Sequence, residues 1–177
     1  MSTRRNTQVS FVGPYFATGK SVLTKSEVLA QAQDSKEIND ANLRLLALAG
    51  STSESFVKRV APQAELRTIE QFDDGVEQVI SGQADALVAD LSVCVLSVFR
   101  NPQAGLAALA TPLSFEPIGI ALPSQDAHFE NLVSNYMRVL EETGLLDELR
   151  ARWFTQSDWI NQLPAKRLEP SPNSLSL

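Results

Sequence analysis

The chain has 177 residues, of which 44% are hydrophobic and 20% charged, and its formal net charge is −6 at pH 7. This composition is typical of a globular protein that can bury a core. An acidic chain without a lysine or arginine cluster lacks the basic face that nucleic-acid phosphates require, so we expect no nucleic-acid partner. No apolar run approaches the roughly 18 residues that cross a bilayer.

The cysteine and histidine content limits the chemistry further. Cys94 is the single cysteine and His128 the single histidine. The sequence therefore cannot form an intramolecular disulfide and has no zinc-binding spacing, and we expect no metal and no cofactor. The polar residues that follow Met1 contain no apolar stretch of the kind found in signal peptides, so the sequence as given predicts no secretory signal.

The N-terminal part of the chain is rich in strand-forming residues. Residues 9–12 and 16–24 are runs that predict β-structure. Within the second run, the tripeptide Gly-Lys-Ser at 19–21 resembles the end of a phosphate-binding loop. That loop requires a glycine at position 14, where Pro14 stands, and a helix after its lysine, whereas strand-forming residues follow here. We therefore assign no phosphate-binding role to this segment.

The central part alternates between strands and helices. Residues 44–49 form an apolar run ended by Gly50, which predicts a buried strand. Ser51 and Glu54 stand three positions apart, which is the capping-box signature of a helix start. Strands separated by helices of this length require crossover connections, so we expect a mostly parallel sheet. The later strands are predicted at 64–69 and 84–89, and the later helices at 73–82 and 90–99.

The C-terminal part leaves the central block again. Residues 118–122 predict a strand, and residues 129–154 predict two amphipathic helices separated by a break at 141–144. From residue 164 the tail is polar and rich in proline and serine, so we expect it to be disordered. The runs at 16–24 and 118–122 bracket the central block and could act as adjacent hinge strands between two lobes. Ligands in such folds bind where strand ends converge.

Three segments could form a ligand site. Ser51 and Thr52 follow a strand at a helix N-terminus, where unpaired N–H groups and the helix dipole favour an anion. Plain helix capping is the alternative for this turn. Asp90 follows another strand, so its carboxylate would either cap the next helix or accept an ammonium group. Arg4 and Arg5 could clamp a carboxylate bidentately, or could simply be solvated.

Several segments together resemble the polar-amino-acid-binding family of bacterial extracellular solute-binding proteins. Residues 5–16 look like its arginine, short spacer and Phe-Ser-x-Pro-Tyr pattern, with Val12 where a serine is frequent. Residues 50–54 are similar to its Gly-Ser/Thr-Thr-x-Glu turn, and residues 82–90 match its Gly-x-x-Asp-Ala-x-x-x-Asp signature. The family's C-terminal return segment also has counterparts here, at residues 119–122, 144–149 and 152–154.

The resemblance implies an α/β fold of the periplasmic-binding-protein type 2 kind, with one complete βαβαβ lobe and part of a second. Family members begin with a βαβ segment of the first lobe for which this sequence has no counterpart. We therefore expect a remnant of lobe 1 and the first hinge approach at 1–20, a complete lobe 2 at 21–116, and the second hinge strand with the C-terminal helices of the truncated lobe 1 at 117–163. The tail is 164–177. Those helices would expose apolar faces, which predicts a homodimer.

The resemblance also implies a function. The chain would be the amino-acid-binding component of an ABC transporter, would not be an enzyme, and would capture a zwitterionic ligand between its lobes by hinge closure. Arg5 would clamp the ligand carboxylate, Ser51 and Thr52 would support the same group, and Asp90 would hold the α-ammonium. A transporter permease or a sensor is the implied partner, in the periplasm. Two alternatives remain open, namely a degenerate binding protein that serves only interactions and a dehydratase-like enzyme on the same fold.

Overall fold

The computed structural model describes residues 7–109 and 111–155, with side chains up to residue 153. The predicted strands and helices of the central block are confirmed to within two residues at each end. A 3₁₀ turn follows the first helix, and a π-helical turn follows the last one. In chain order the elements are β1 (Val9–Thr18), β2 (Lys20–Thr24), α1 (Glu27–Ala30), β3 (Arg44–Leu48), α2 (Thr52–Val60), β4 (Glu65–Ile69), α3 (Phe72–Ile80), β5 (Ala86–Asp90), α4 (Leu91–Arg100), β6 (Ala107–Ala108), β7 (Glu116–Pro123), α5 (Ala127–Glu142) and α6 (Leu145–Arg150).

The main sheet has five strands in the order β4-β3-β5-β2-β6. As predicted, β3 pairs in parallel with both β4 and β5, whereas β2 runs antiparallel to β5 and β6. Val22 and Val57 belong to the apolar cluster on one face of this sheet, and Leu23, Leu87 and Val79 belong to the cluster on the other face. Because both faces are covered, its inner strands are continuous apolar runs instead of alternating ones.

A second, two-stranded sheet pairs β1 with β7 in antiparallel register. The predicted β-structure at 16–24 is confirmed, but it is divided between two strands, because the chain passes from this sheet to the main sheet at Gly19. A Cβ atom at Gly19 would lie 1.7 Å from the carbonyl oxygen of Ser114 and 2.7 Å from Cβ of Pro112. Only glycine allows the two backbone segments to approach this closely. The same crossing places the start of β2 beside the start of β7.

The two C-terminal helices are separated at Thr143 and Gly144, as predicted. Helix α5 has no fully buried residue. One apolar stripe along it is between 42% and 64% exposed, formed by Phe129, Leu132, Tyr136 and Val139. The expectation that the C-terminal helices expose an apolar face is therefore confirmed for α5. Among the described residues, no helix has the length and apolar character needed to cross a membrane.

Candidate functional site

A cavity of about 870 Å³ lies between the two sheets. Its walls come from one side of α2, the end of β5 and the start of β7, together with part of β1. Polar and aromatic side chains both line it, which is common for pockets that hold a small organic ligand. The lining residues are Gln8, Phe11, Thr18, Thr52, Ser55, Phe56, Arg59, Asp90, Phe115, Glu116, Pro117, Ile118 and Gly119.

The N-terminus of α2 is capped by its own side chains. Ser51 Oγ accepts a hydrogen bond from the Glu54 N–H at 3.2 Å, so the capping interpretation of Ser51 is confirmed. The Glu54 carboxylate accepts from the Gly50 N–H at 2.7 Å. The Lys58 ammonium and then this N–H lower the pKa of Glu54. Ser51 does not line the cavity, whereas Thr52 in the next position does.

Asp90 lies at the N-cap position of α4 but does not cap it. Its side chain accepts no hydrogen bond from the first turn of the helix. Instead Asp90 Oδ1 accepts from Lys20 Nζ at 2.5 Å, and the side chain remains 43% exposed to the cavity side. Of the two interpretations of Asp90 drawn from the sequence, side-chain capping is therefore wrong. The carboxylate faces the space next to Thr52, as a ligand-binding group would.

Lys20 is the residue that joins these groups, and sequence reasoning missed it. Its side chain is only 1% exposed. Its ammonium donates to Thr52 Oγ1 at 2.7 Å and Asp90 Oδ1 at 2.5 Å, and it lies 3.2 Å from Glu116 Oε2. A buried ammonium is tolerated only when paired in this way. Its only signal in the sequence is a lysine at the start of an apolar strand, within a segment that resembles the end of a phosphate-binding loop.

Glu116 was missed as well, because its position at the start of β7 gave no pattern. Its Oε2 lies against Lys20, and its Oε1 accepts from the Ser114 hydroxyl at 3.2 Å. Three phenylalanines also line the cavity, namely Phe11, Phe56 and Phe115. Phe115 is 75% exposed, and the Arg59 guanidinium lies 5.8 Å from the centre of the Phe56 ring. The cavity therefore offers acids and a cation on one side and aromatic surface around them.

The two aspartates of the Gly-x-x-Asp-Ala-x-x-x-Asp signature have different tasks. Asp85 forms a bidentate pair with Arg44, with Oδ2 3.0 Å from Nε and Oδ1 2.8 Å from an Nη atom, and it also accepts from the Arg44 N–H at 2.8 Å. The Arg44 side chain holds the pKa of Asp85 below its ordinary value. Asp85 thus fixes β3 against the turn before β5, and only Asp90 reaches the cavity. Arg4 and Arg5 lie outside the described residues, and His128 is an exposed residue of α5.

No family model matches the chain. It is 26% identical over 156 residues to the ABC transporter glutamine-binding protein GlnH of Bacillus subtilis (strain 168), which covers 88% of this chain and 55% of that protein. It is 23% identical over 153 residues to the cyclohexadienyl dehydratase of Pseudomonas aeruginosa, covering 86% of this chain and 57% of that one. The chain thus spans little more than half the length of these relatives.

The solved structures give the same result for the fold. A binding component of an ABC transporter from Wolinella succinogenes DSM 1740, complexed with lysine, superposes with a TM-score of 0.82. It is 31% identical, and the match covers 91% of this chain and 69% of that one. The architecture is that of the type 2 periplasmic binding proteins. The chain belongs to the family of amino-acid-binding components of ABC transporters.

Proposed function

We propose that this chain binds an amino acid in the cavity between its two sheets, as the ligand-capturing component of an ABC transporter. One observation carries the proposal: Thr52, at the start of α2, and Asp90, at the end of β5, converge on one cavity although they are far apart in sequence. A hydroxyl at a helix N-terminus suits a carboxylate, and a free carboxylate oxygen suits an ammonium group. An amino acid carries both.

The proposed contacts divide between the two ends of the ligand. Thr52 and the N-terminal N–H groups of α2 would hold the carboxylate. Arg5, which is not among the described residues, would clamp the same group. Ser51 would contribute indirectly, because its hydroxyl already caps the helix and keeps the N-terminal turn in shape. The second oxygen of Asp90 would accept the α-ammonium, since Oδ1 is engaged with Lys20.

Capture would involve closure about the strands that join the two parts of the chain. We infer that residues 21–116 form one lobe, that 1–20 and 117–163 contribute to the other, and that the β1–β7 pair is the hinge. A ligand that contacts both sides of the cavity is bound more tightly in the closed state, and closure follows from that difference. The tail at 164–177 has no part in this proposal.

We favour binding over catalysis. A dehydratase needs a group positioned to move a proton. In the described part of the cavity wall, the two carboxylates, Asp90 and Glu116, are both held by the Lys20 ammonium, and no histidine lines the wall. The relation to a cyclohexadienyl dehydratase makes catalysis the second candidate. Incubation with a cyclohexadienol substrate and detection of the aromatic product by ultraviolet absorbance tests it directly.

We further infer that two copies associate through the apolar stripe of α5, and that the protein works in the periplasm with a permease or a sensor as its partner. The stripe consists of Phe129, Leu132, Tyr136 and Val139. Exposed apolar surface of this kind favours association, at about 25 cal/mol per Å² buried. A second copy can cover it with an identical stripe, as in a two-fold symmetric dimer.

A thermal-shift screen against the twenty amino acids tests the binding proposal. Asp90→Asn and Thr52→Val remove the two proposed ligand contacts, and His128→Gln, on exposed α5, is the matched control. A ligand present at a hundredfold its Kd adds about 2.7 kcal/mol of stability. We expect one class of amino acid to raise the Tm of the parent chain and the control but not of the other two variants. No shift with any amino acid, from a folded protein, contradicts the proposal and favours a degenerate protein that serves interactions only.

A further inference from the structure

Lys20, Asp90 and Glu116 form a charged cluster behind the cavity wall. The cluster contains one ammonium and two carboxylates, with Lys20 Nζ 2.5 Å from Asp90 Oδ1 and 3.2 Å from Glu116 Oε2. Its net formal charge is therefore one negative. Lys20 itself does not line the cavity, whereas both acids do. The charge that the cavity presents at this end is consequently set by a residue that a ligand does not touch.

The Lys20 ammonium donates hydrogen bonds to Asp90 Oδ1 and to Thr52 Oγ1, the latter at 2.7 Å, and forms an ion pair with Glu116. Because Lys20 does not line the cavity, we expect it to act on a ligand through its charge and not through a direct contact. The cluster has a net charge of one negative, which balances one positive group of a ligand. The α-ammonium of an amino acid bound next to Asp90 would be that group.

A second positive group on the ligand would exceed the single net negative charge of the cluster. The other charged lining residue there is Arg59, which is itself positive. Among the described residues, Arg59 and the cluster together have no net formal charge. A ligand without net charge preserves that balance, whereas a cationic side chain meets Arg59 and an acidic one meets the excess negative charge of the cluster.

We propose that Lys20 is a specificity-determining residue that restricts the cavity to amino acids with uncharged side chains. This inference rests on the proposed function and narrows it. The relatives leave the matter open, since one is named for glutamine, whose side chain is uncharged, and a solved structure is complexed with lysine, whose side chain is cationic. The Lys20 ammonium neutralises one of the two carboxylates, which the positive side chain of a cationic ligand would otherwise neutralise.

Calorimetric titration with amino acids of matched size tests this inference. The pairs are citrulline against arginine, norleucine against lysine, and glutamine against glutamate, each differing mainly in side-chain charge. We expect the uncharged member of every pair that binds to have the lower Kd. A charged member that binds more tightly than its uncharged partner overturns the inference. If no amino acid binds at all, the proposed function itself fails, which is a different result.

Three variants then assign the selectivity to the cluster charge. Lys20→Met makes the cluster more negative, and we expect the ratio of Kd values to move at least about tenfold towards the cationic ligand, because a unit charge within roughly 10 Å in a partly screened cavity has that effect. Glu116→Gln changes the charge in the opposite sense, so the ratio should move the other way. The double variant Lys20→Met/Glu116→Gln restores the original net charge and should restore the original ratio.

The variant set separates charge selection from a structural role of Lys20. Loss of packing alone would weaken both members of a ligand pair equally and leave their ratio unchanged. Circular dichroism melts report whether Lys20→Met folds. If it does not, Glu116→Gln carries the test, since Glu116 is 35% exposed and its loss leaves Lys20 paired with Asp90. An unchanged Kd ratio in folded Lys20→Met or Glu116→Gln overturns the inference.

Discussion

Gly19→Ala tests the crossing between the two sheets, because the fold requires that no side chain be present there. The new methyl carbon would lie 1.7 Å from the Ser114 carbonyl oxygen, which is far inside contact distance. That oxygen belongs to the segment 112–114, which two hydrogen bonds hold against Lys20. The Lys20 N–H donates to Ser114 Oγ at 2.9 Å, and the Leu113 N–H donates to the Lys20 carbonyl at 2.7 Å. The methyl group therefore cannot be accommodated without moving β2 away from residues 112–114.

The cost follows from those contacts. Overpacking costs about 1–3 kcal/mol, and each of the two hydrogen bonds contributes about 1 kcal/mol, so we expect Gly19→Ala to lower the free energy of unfolding by about 3–5 kcal/mol. For a chain of this size, at about 2–4 °C per kcal/mol, that corresponds to a fall in Tm of about 6–20 °C, which differential scanning calorimetry measures.

Gly105→Ala is the matched control for Gly19→Ala. Gly105 has φ of +68° but open space where a Cβ would go. Gly105→Ala should lower the free energy of unfolding by only roughly 1–2 kcal/mol, which is the cost of placing alanine in the left-handed conformation. Equal Tm values for the two variants would refute the close approach at Gly19.

Three further predictions concern other parts of the structure. Asp85→Asn removes the ion pair with Arg44 and should lower the free energy of unfolding by about 1–2 kcal/mol at pH 7, a figure discounted because the pair is partly exposed. Because the folded-state pKa of Asp85 is lowered, this contribution is present above the unfolded-state pKa and is lost as the pH falls through the folded-state pKa. Urea melts of the variant and the parent should therefore converge in acid, and a difference that stays constant with pH would contradict the pairing. Burial raises the pKa of Cys94 to about 12, so a thiol reagent at pH 8 should label it only after denaturation, and rapid labelling of the native protein would contradict its burial. Leu132→Glu should convert the proposed dimer to a monomer in light scattering, whereas His128→Gln should not; a parent chain that is already monomeric rules the α5 dimer out.

The sequence allowed the alternation of strands and helices to be predicted because it depends on local patterns. The apolar run ended by Gly50 predicts a strand, and the pair Ser51 and Glu54 predicts a helix start, each from residues close together in the sequence. The change of sheet at Gly19 could not be predicted in this way. The run at 16–24 has the same apolar character on both sides of that glycine, and the reason for the change is the backbone of Ser114, which is distant in the sequence.

The candidate site was predicted only in part for the same reason. Thr52 and Asp90 were recognisable because each follows a strand end, and strand ends of a parallel sheet converge. The residues that neighbour Lys20 in the sequence do not indicate that it belongs to a ligand site. Its partners lie 32 and 70 positions away, at Thr52 and Asp90. Ser51 has a local meaning, but an ambiguous one, because a hydroxyl at a helix start can cap the helix or contact a ligand. The rotamer of its side chain decides between the two, and the sequence does not contain that information.

The central claim is that an amino acid binds between Thr52 and Asp90, and a nuclear magnetic resonance titration of the ¹⁵N-labelled chain tests it most directly. The probe is the amino acid that raises the Tm most in the screen. We expect its addition to shift the amide signals of Thr52 and of the residues that follow Asp90, together with those around Glu116 in β7. Shifts confined to the exposed stripe of α5, or no shift at a concentration that stabilises the protein, would contradict binding in this cavity.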